Sequence, residues 1–186
     1  MDVPPRLPPI PDSEMTEAQR RVRDGIASGP RGGLRGPFDA LLRSPELADR
    51  LQKVGAYVRF ESSLPAPLSE LAILVTARHW GAQYEWWAHR RLAEKAGLAP
   101  AIADAIAEGR RPGALQADEA AVYDFCRELH ETKNVSDAAW NVALARFGER
   151  GVIDLIGTCG YYGAVSMVLN AARVPLPEGV APPLMI

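Results

Sequence analysis

The spacing of apolar residues constrains this chain most, because they recur every three or four positions through nearly all of it. Leu71, Leu74 and Val75 follow this spacing in one segment, and Val122 and Cys126 follow it in another. An α-helix of 3.6 residues per turn brings such positions onto one face. No segment shows the sustained two-residue alternation of a half-buried strand. The sequence therefore predicts an all-α protein built as a helical bundle.

Residues with strong positional preferences divide the pattern into separate helices. Thr16 and Gln19 form a capping-box pattern at a helix start. Ser44 followed by Pro45 is typical of an N-cap and a first helical position. Gly97 favours a helix end. The predicted helices begin near residues 16, 38, 45, 68, 83, 100, 117, 136 and 151.

Two predicted helices carry specific expectations about burial. Leu47, Leu51, Val54 and Val58 recur at helical spacing, so we expect them to form one buried stripe. The segment 151–172 is apolar nearly all round, which indicates deep burial.

The length of 186 residues suits one domain with a sizeable core. Residues 1–14 form a Pro-rich arm and 175–186 a Pro-rich tail, so the predicted helical domain is 15–174. A net charge of −2 with scattered Lys and Arg residues predicts no nucleic-acid partner and no membrane association. No stretch is expected to reach the roughly 20 apolar residues of a bilayer span, and no signal peptide is evident, so we expect a cytoplasmic protein.

The window 70–89 stands out because it combines two histidines, three tryptophans and two glutamates. Glu85 and His89 are four residues apart and therefore share one helix face. A carboxylate beside an imidazole raises the His pKa and fixes its tautomer, which suits proton transfer near neutral pH. A solvated ion pair beside a tryptophan core is the structural alternative for the same residues.

Glu70 can join this pair only under a geometric condition. On one unbroken helix, at about 1.5 Å per residue, Glu70 and Glu85 would be roughly 22 Å apart. A single site therefore requires a turn near Gly81 or a contribution from a second subunit.

The same window resembles the carboxymuconolactone decarboxylase/AhpD-like family. Its redox branch has a Glu followed by a segment Asn-Gly-Cys-x-x-Cys-x-x-x-His. Here Glu70 and His89 stand at the Glu and His positions, Gly81 at the Gly, and Ala82 and Glu85 at the two Cys positions. The likeness spans roughly 35–178. Further matching segments are 44–47, 63–65, 134–137, 160–162 and 169–170.

The resemblance implies an AhpD-like helical protomer in a homo-oligomer, often a trimer or hexamer, with a site between helices. Peroxidase or disulfide chemistry needs a thiolate and a resolving thiol, and Ala82 and Glu85 supply neither. The decarboxylase branch does not need the Cys pair, and a Glu four residues before a His resembles what it uses. The resemblance thus favours a carboxy-lyase acting on a small cyclic carboxylate or lactone.

We therefore predict Glu70, Glu85 and His89 as catalytic residues. Loss of carbon dioxide from such a lactone leaves an enolate that must be stabilised and protonated, which an imidazolium can do. No cofactor and no metal are expected. The predicted substrate-binding residues are Arg78, His79, Trp80, Tyr84 and Trp86. Arg78 could instead form a surface ion pair, and His79 could instead cap a helix end.

Two other functions stay open from the sequence. One is an AhpD-like, peroxidase-related protein that has lost its redox Cys pair, and the other is a non-catalytic oligomer that binds a small ligand. Cys126 and Cys159 have neither the C-x-x-C nor a metal-ligand spacing, so we expect two buried, apolar side chains. His130 lies near the end of its predicted helix, where the helix dipole favours it.

Overall fold

The structure is a computed structural model that describes residues 4–29 and 33–185. Residues 1–3 of the predicted arm, 30–32 of a Gly-rich loop and 186 of the predicted tail lie outside the described residues. Across the described ranges the chain forms eight helices and no strand, which confirms the all-α prediction. The helices are α1 (Glu17–Ala27), α2 (Phe38–Leu41), α3 (Pro45–Phe60), α4 (Ala66–His79), α5 (Gln83–Ala96), α6 (Pro100–Ala107), α7 (Ala117–Thr132) and α8 (Asp137–Ala172).

The helix boundaries follow the local chemistry of the chain. Thr16 Oγ1 accepts a hydrogen bond from the backbone N–H of Gln19 at 3.3 Å, and Gln19 Oε1 accepts from the Thr16 N–H at 2.8 Å. Gly97 ends α5 with φ of 106°, a left-handed conformation that favours glycine. Ser44 makes no side-chain capping bond, so Pro45 begins α3 without that expected contact.

Helix α8 contains both of the last two predicted helices. Its backbone leaves helical geometry at Gly148, where φ is 65° and ψ is 177°. The two segments on either side match the predicted break between residues 147 and 151. The expectation of deep burial holds for most of the second segment but not for all of it, because Ile153 and Met167 are exposed.

Among the described helices, α8 alone is long and apolar enough to cross a bilayer by length and composition. This finding corrects the expectation that no stretch reaches such a length. Of its most apolar window, 61% is buried inside the fold. The burial agrees with a core helix of a soluble protein, and the cytoplasmic location stays a prediction.

The core is built around α4, which packs against α5, α6, α7 and α8. Because neighbours cover it on several sides, Leu71, Ala72, Leu74 and Ala77 are fully buried. Trp86 of α5 is also fully buried within this core. The central position of α4 brings its side chains within reach of the helices around it.

The buried face of helix α3 differs from the stripe predicted from Leu47, Leu51, Val54 and Val58. Leu47 is 48% exposed and Val54 is 47% exposed, whereas Val58 is buried. The face that packs inward carries Ala48 and Gly55 instead. Small side chains let α3 approach α1 and α8 closely, and the buried face is thereby rotated away from Leu47 and Val54.

A buried carboxylate joins the segment after α3 to α8. Asp154 accepts hydrogen bonds from the Tyr57 hydroxyl at 2.9 Å, the Ser63 N–H at 2.8 Å and the Ser63 hydroxyl at 2.7 Å. Burial alone would raise the pKa of Asp154, but these donors outweigh it and lower that pKa. Asp154 thus fixes the entry to α4, the helix that carries Glu70.

Candidate active site

A tight turn between α4 and α5 creates the candidate site. Gly81 has φ of 59°, and the Ala82 N–H donates to the Ala77 carbonyl at 2.9 Å, which closes the C-terminus of α4. Helix α5 then packs along α4. The turn brings Glu70 and His89, 19 residues apart, into hydrogen-bond contact within one chain.

His89 lies between two carboxylates. Its Nδ1 is 2.6 Å from Glu70 Oε2, and its Nε2 is 3.0 Å from Glu85 Oε1. The side chains of His89, Glu70 and Glu85 are 7%, 13% and 5% exposed. An ionised carboxylate only accepts hydrogen bonds, so an imidazolium, which donates from both nitrogens, satisfies both contacts.

The electrostatics of this trio favour the charged imidazole. Burial acts to lower the pKa of His89, but the charge of Glu85 and the hydrogen bonds to Glu70 and Glu85 outweigh burial and raise that pKa to about 9. At neutral pH His89 therefore carries a proton. The site holds a ready proton donor in a poorly solvated position.

Tyr162 of α8 covers one face of this imidazole. The two rings meet edge to face with centroids 4.9 Å apart. The Tyr162 hydroxyl is buried, and no hydrogen-bond partner for it exists among the described residues. Burial first, and the Glu85 charge next, raise the pKa of Tyr162 well above its usual value. The hydroxyl therefore keeps its proton and has no acceptor for it among the described residues.

Beside the trio lies a cavity of about 540 Å³. Glu85, His89 and Tyr162 all line it, whereas Glu70 lies behind His89 and does not. The wall is completed by side chains from the loop before α2 and from α3, α5 and α8. They include Arg35, Arg59, Tyr84, Trp87, Arg91 and Lys95.

Four of these wall residues are cationic. Arg35, Arg59, Arg91 and Lys95 surround the cavity, and within the ranges 4–29 and 33–185 none of them forms an ion pair with a carboxylate. Opposing them are Glu85 on the wall and Glu70 behind His89. The cavity can thus receive an anionic ligand whose negative group meets a free guanidinium.

The loop before α2 closes the cavity through a glycine. Gly36 has φ of 66°, and a Cβ built there would lie 3.1 Å from Cε1 of Tyr84. Only glycine therefore combines this left-handed backbone with such close packing against the Tyr84 ring. The sequence pattern indicates a loop here and gives no sign that the loop forms part of a cavity wall.

The five predicted substrate-binding residues lie in different parts of the structure. Tyr84 lines the cavity beside His89. Trp86 is fully buried in the core, so its ring faces away from that cavity. Arg78 and His79 line a different cavity of about 240 Å³, and the Trp80 carbonyl accepts a hydrogen bond from Asn170 Nδ2 at 2.7 Å. Arg78, His79 and Trp80 thus lie apart from the trio because the last turn of α4 faces α7 and α8, and Trp86 lies apart from it because its ring packs into the core.

Several residues of the cavity wall were not predicted from the sequence, although the helical spacing of some of them indicates a shared face. Ala88, Arg91 and Lys95 follow the predicted Tyr84 at helical spacing on α5, so they share a face with it. That face could have been identified from the sequence. Arg35, Arg59 and Tyr162 come from distant segments, and no local spacing links them to His89.

No protein-family profile matches the chain, and no curated protein matches it by sequence. A peroxidase-related protein of uncharacterised function from Silicibacter sp. TM1040 superposes with a TM-score of 0.74 at 17% identity, over 92% of this chain and 91% of that one. A cysteine-to-alanine variant of the debrominase Bmp8, in complex with 2,3,4-tribromopyrrole, superposes with a TM-score of 0.73 at 14% identity, with the same coverage.

The chain has the AhpD-like fold. The likeness extends over nearly the full length of both neighbours. At 14–17% identity the AhpD-like fold establishes the architecture, and the chemistry has to be argued from the site itself.

Proposed function

We propose that this protein is a cofactor-free acid/base enzyme acting on a small cyclic carboxylate, with decarboxylation of a lactone as the reaction. One observation carries the proposal. A buried imidazolium, held by two carboxylates, stands at the wall of a cavity that free cations surround.

The substrate class follows from the size and charge of the cavity. A volume of about 540 Å³ falls within the range of roughly 300–1,000 Å³ typical of small-molecule sites. Arg59 and Arg91 can each bind a carboxylate with two parallel hydrogen bonds. The ligand of the debrominase, a tribrominated pyrrole, is also a small planar ring, which fits a substrate of this size.

The roles within the trio follow from which side chains face the cavity. Glu85 and His89 line it and exchange the proton with the substrate. Glu70 accepts from Nδ1 on the far side and so orients the ring and holds its charge. Tyr162 offers a hydroxyl donor beside them.

Decarboxylation consumes one proton, which His89 supplies. When the carbon–carbon bond to the carboxylate breaks, its electron pair passes through the unsaturated ring to the lactone carbonyl oxygen. The Tyr162 hydroxyl and the His89 imidazolium stabilise the resulting enolate. Collapse of the enolate takes a proton from His89 through Glu85 onto a ring carbon, and water then returns a proton to His89.

The thiol chemistry of the redox branch is not proposed for this cavity. The positions matching its two cysteines hold Ala82, which is fully buried, and Glu85. A carboxylate at the second position can transfer protons but cannot form a disulfide. This difference favours the acid/base reaction over a peroxidase-like one.

The test is turnover of 4-carboxymuconolactone, followed by ring absorbance and release of carbon dioxide. We expect His89→Gln and Glu85→Gln to lower kcat by at least about 100-fold, the usual minimum contribution of a positioned acid or base. The matched control is His79→Gln, which changes a histidine outside the cavity and should leave kcat unchanged. Arg59→Gln should mainly raise KM.

Two results would contradict the proposal. If folded wild-type protein binds the lactone but releases no carbon dioxide, the site is a ligand-binding site and not a decarboxylase. If His89→Gln retains the wild-type kcat, the trio is not the acid. Because the His89 pKa is about 9, turnover should also decline as the pH rises through 9.

A further inference from the structure

A second reactive cluster lies on the α7 side of α4, away from the cavity. Cys126 of α7 and Cys159 of α8 are 33 residues apart in sequence, yet their sulfur atoms are 3.3 Å apart. Both side chains are buried, as expected, and both are free thiols. They are also the two cysteines of the whole chain. The helix packing therefore creates a thiol pair that no sequence motif predicts.

The surroundings of the pair are polar on one side. Thr76 Oγ1 donates to the Ala72 carbonyl at 2.8 Å and lies 2.9 Å from His130 Nε2. Since the Thr76 hydroxyl proton is used by that carbonyl, His130 Nε2 must donate to Thr76, which places a proton on this nitrogen. His130 and Thr76 lie beside the Cys159 sulfur, and both lower the pKa of that thiol.

The two thiols are electrostatically unequal. Contact with Cys126 lowers the pKa of Cys159, burial opposes this, and His130 and Thr76 lower it further, to about 6. Burial, followed by contact with Cys159, raises the pKa of Cys126. The lower pKa of Cys159 favours this thiol as the nucleophile and Cys126 as the resolving thiol.

A small cavity lies on the other side of His130, and neither cysteine lines it. It has a volume of about 240 Å³ and is lined by His79 and His130, whose rings stack with centroids 4.8 Å apart. His130 thus contacts both this cavity and the thiol site. A cavity of this size can hold a molecule as small as hydrogen peroxide.

We propose that Cys126 and Cys159 form a dithiol–disulfide redox site that a small hydroperoxide oxidises. The Cys159 thiolate attacks one peroxide oxygen, the O–O bond breaks, and the released hydroxide takes a proton to leave as water. Cys126 then attacks the Cys159 sulfenic acid, and a second water leaves as the disulfide forms. Two thiols and one peroxide give one disulfide and two waters.

This redox site is separate from the acid/base site. It shares no residue with the Glu70–His89–Glu85 trio, and its oxidation links α7 to α8 across the core. Failure of the decarboxylase proposal would therefore leave it untouched. It also lies away from positions 82 and 85, where the related redox proteins carry their cysteines.

The full-length protein allows a direct test because it contains two cysteines. Purified protein is treated with excess hydrogen peroxide, quenched, unfolded, and assayed for free thiols and intact mass. We expect the thiol count to fall from two to zero, the monomer mass to fall by two hydrogen atoms, and dithiothreitol to reverse both. The rate should be flat from pH 7 to 9, unlike that of an ordinary thiol.

Variants then assign the two roles. Cys126→Ser should stop at a sulfenic acid on Cys159, seen as one added oxygen and trapped by dimedone. Cys159→Ser should consume peroxide at least about tenfold more slowly, and His130→Gln should slow the wild-type reaction. A wild-type chain that keeps both thiols in excess peroxide, or one that links only to other chains, overturns the proposal without any variant. Equal rates for the two Ser variants overturn the assignment of Cys159 as nucleophile.

Discussion

Raising the pH should destabilise the fold through His89. Its imidazolium donates hydrogen bonds to Glu70 and Glu85, and its pKa is raised from 6.5 to about 9. The folded chain therefore keeps a proton that the unfolded chain releases above pH 6.5. The resulting stabilisation is complete below pH 6.5, declines as the pH rises from 6.5 to 9, and is lost above about 9.

The size of the effect follows from the same shift. A pKa increase of about 2.5, at about 1.4 kcal/mol for each pH unit, corresponds to roughly 3 kcal/mol of unfolding free energy. Domains of this kind have a total stability of about 5–15 kcal/mol. The contribution of one proton is thus a measurable share of the whole.

The assay is urea unfolding at pH 6, 8 and 10, followed by the fluorescence of the tryptophans. The control is Glu85→Gln, which removes one of the two charges that hold the proton and should flatten the pH dependence. Other titrating groups, Cys159 among them, affect both proteins alike and cancel in the difference. Parallel stability curves for the wild type and the variant would refute the reasoning.

Two further predictions concern stability away from the trio. Asp154→Asn should lower the unfolding free energy by about 2–3 kcal/mol, because the new amide group places its own donors against those of Tyr57 and Ser63. An unchanged midpoint of urea unfolding would show that this buried carboxylate does not anchor α8. Lys133→Gly should raise the melting temperature by a few degrees, because Lys133 ends α7 at φ of 65°, where a side chain costs about 1 kcal/mol. A lower melting temperature would mean that the Lys133 side chain contributes more than its backbone strain costs.

Some parts of the fold can be predicted from the sequence and others cannot. Thr16, Gly97 and the apolar spacing of α4 act within a few residues, so helix starts, ends and types follow from the sequence. The face that a helix buries depends on its neighbours, and for this reason Leu47 and Val54 are exposed on α3. The packing of Ala48 and Gly55 against other helices could not be seen from spacing alone.

The candidate site divides in the same way. Glu85 and His89 are one helical turn apart, so their contact is fixed by local geometry. Glu70 meets them only because Gly81 adopts a left-handed turn that lays α5 along α4. The sequence had left open whether that contact comes from one chain or two, and the structure shows that one chain suffices.

The all-α class, the approximate helix limits and the Glu85–His89 pair follow from the sequence, since each depends on interactions over one or two helical turns. The positions of Tyr162 over His89, Arg59 on the cavity wall and Cys126 against Cys159 are set by the packing of distant helices. These contacts join residues tens of positions apart. Their distances depend on how whole helices pack, and the packing energy is spread over the core rather than encoded in any one segment.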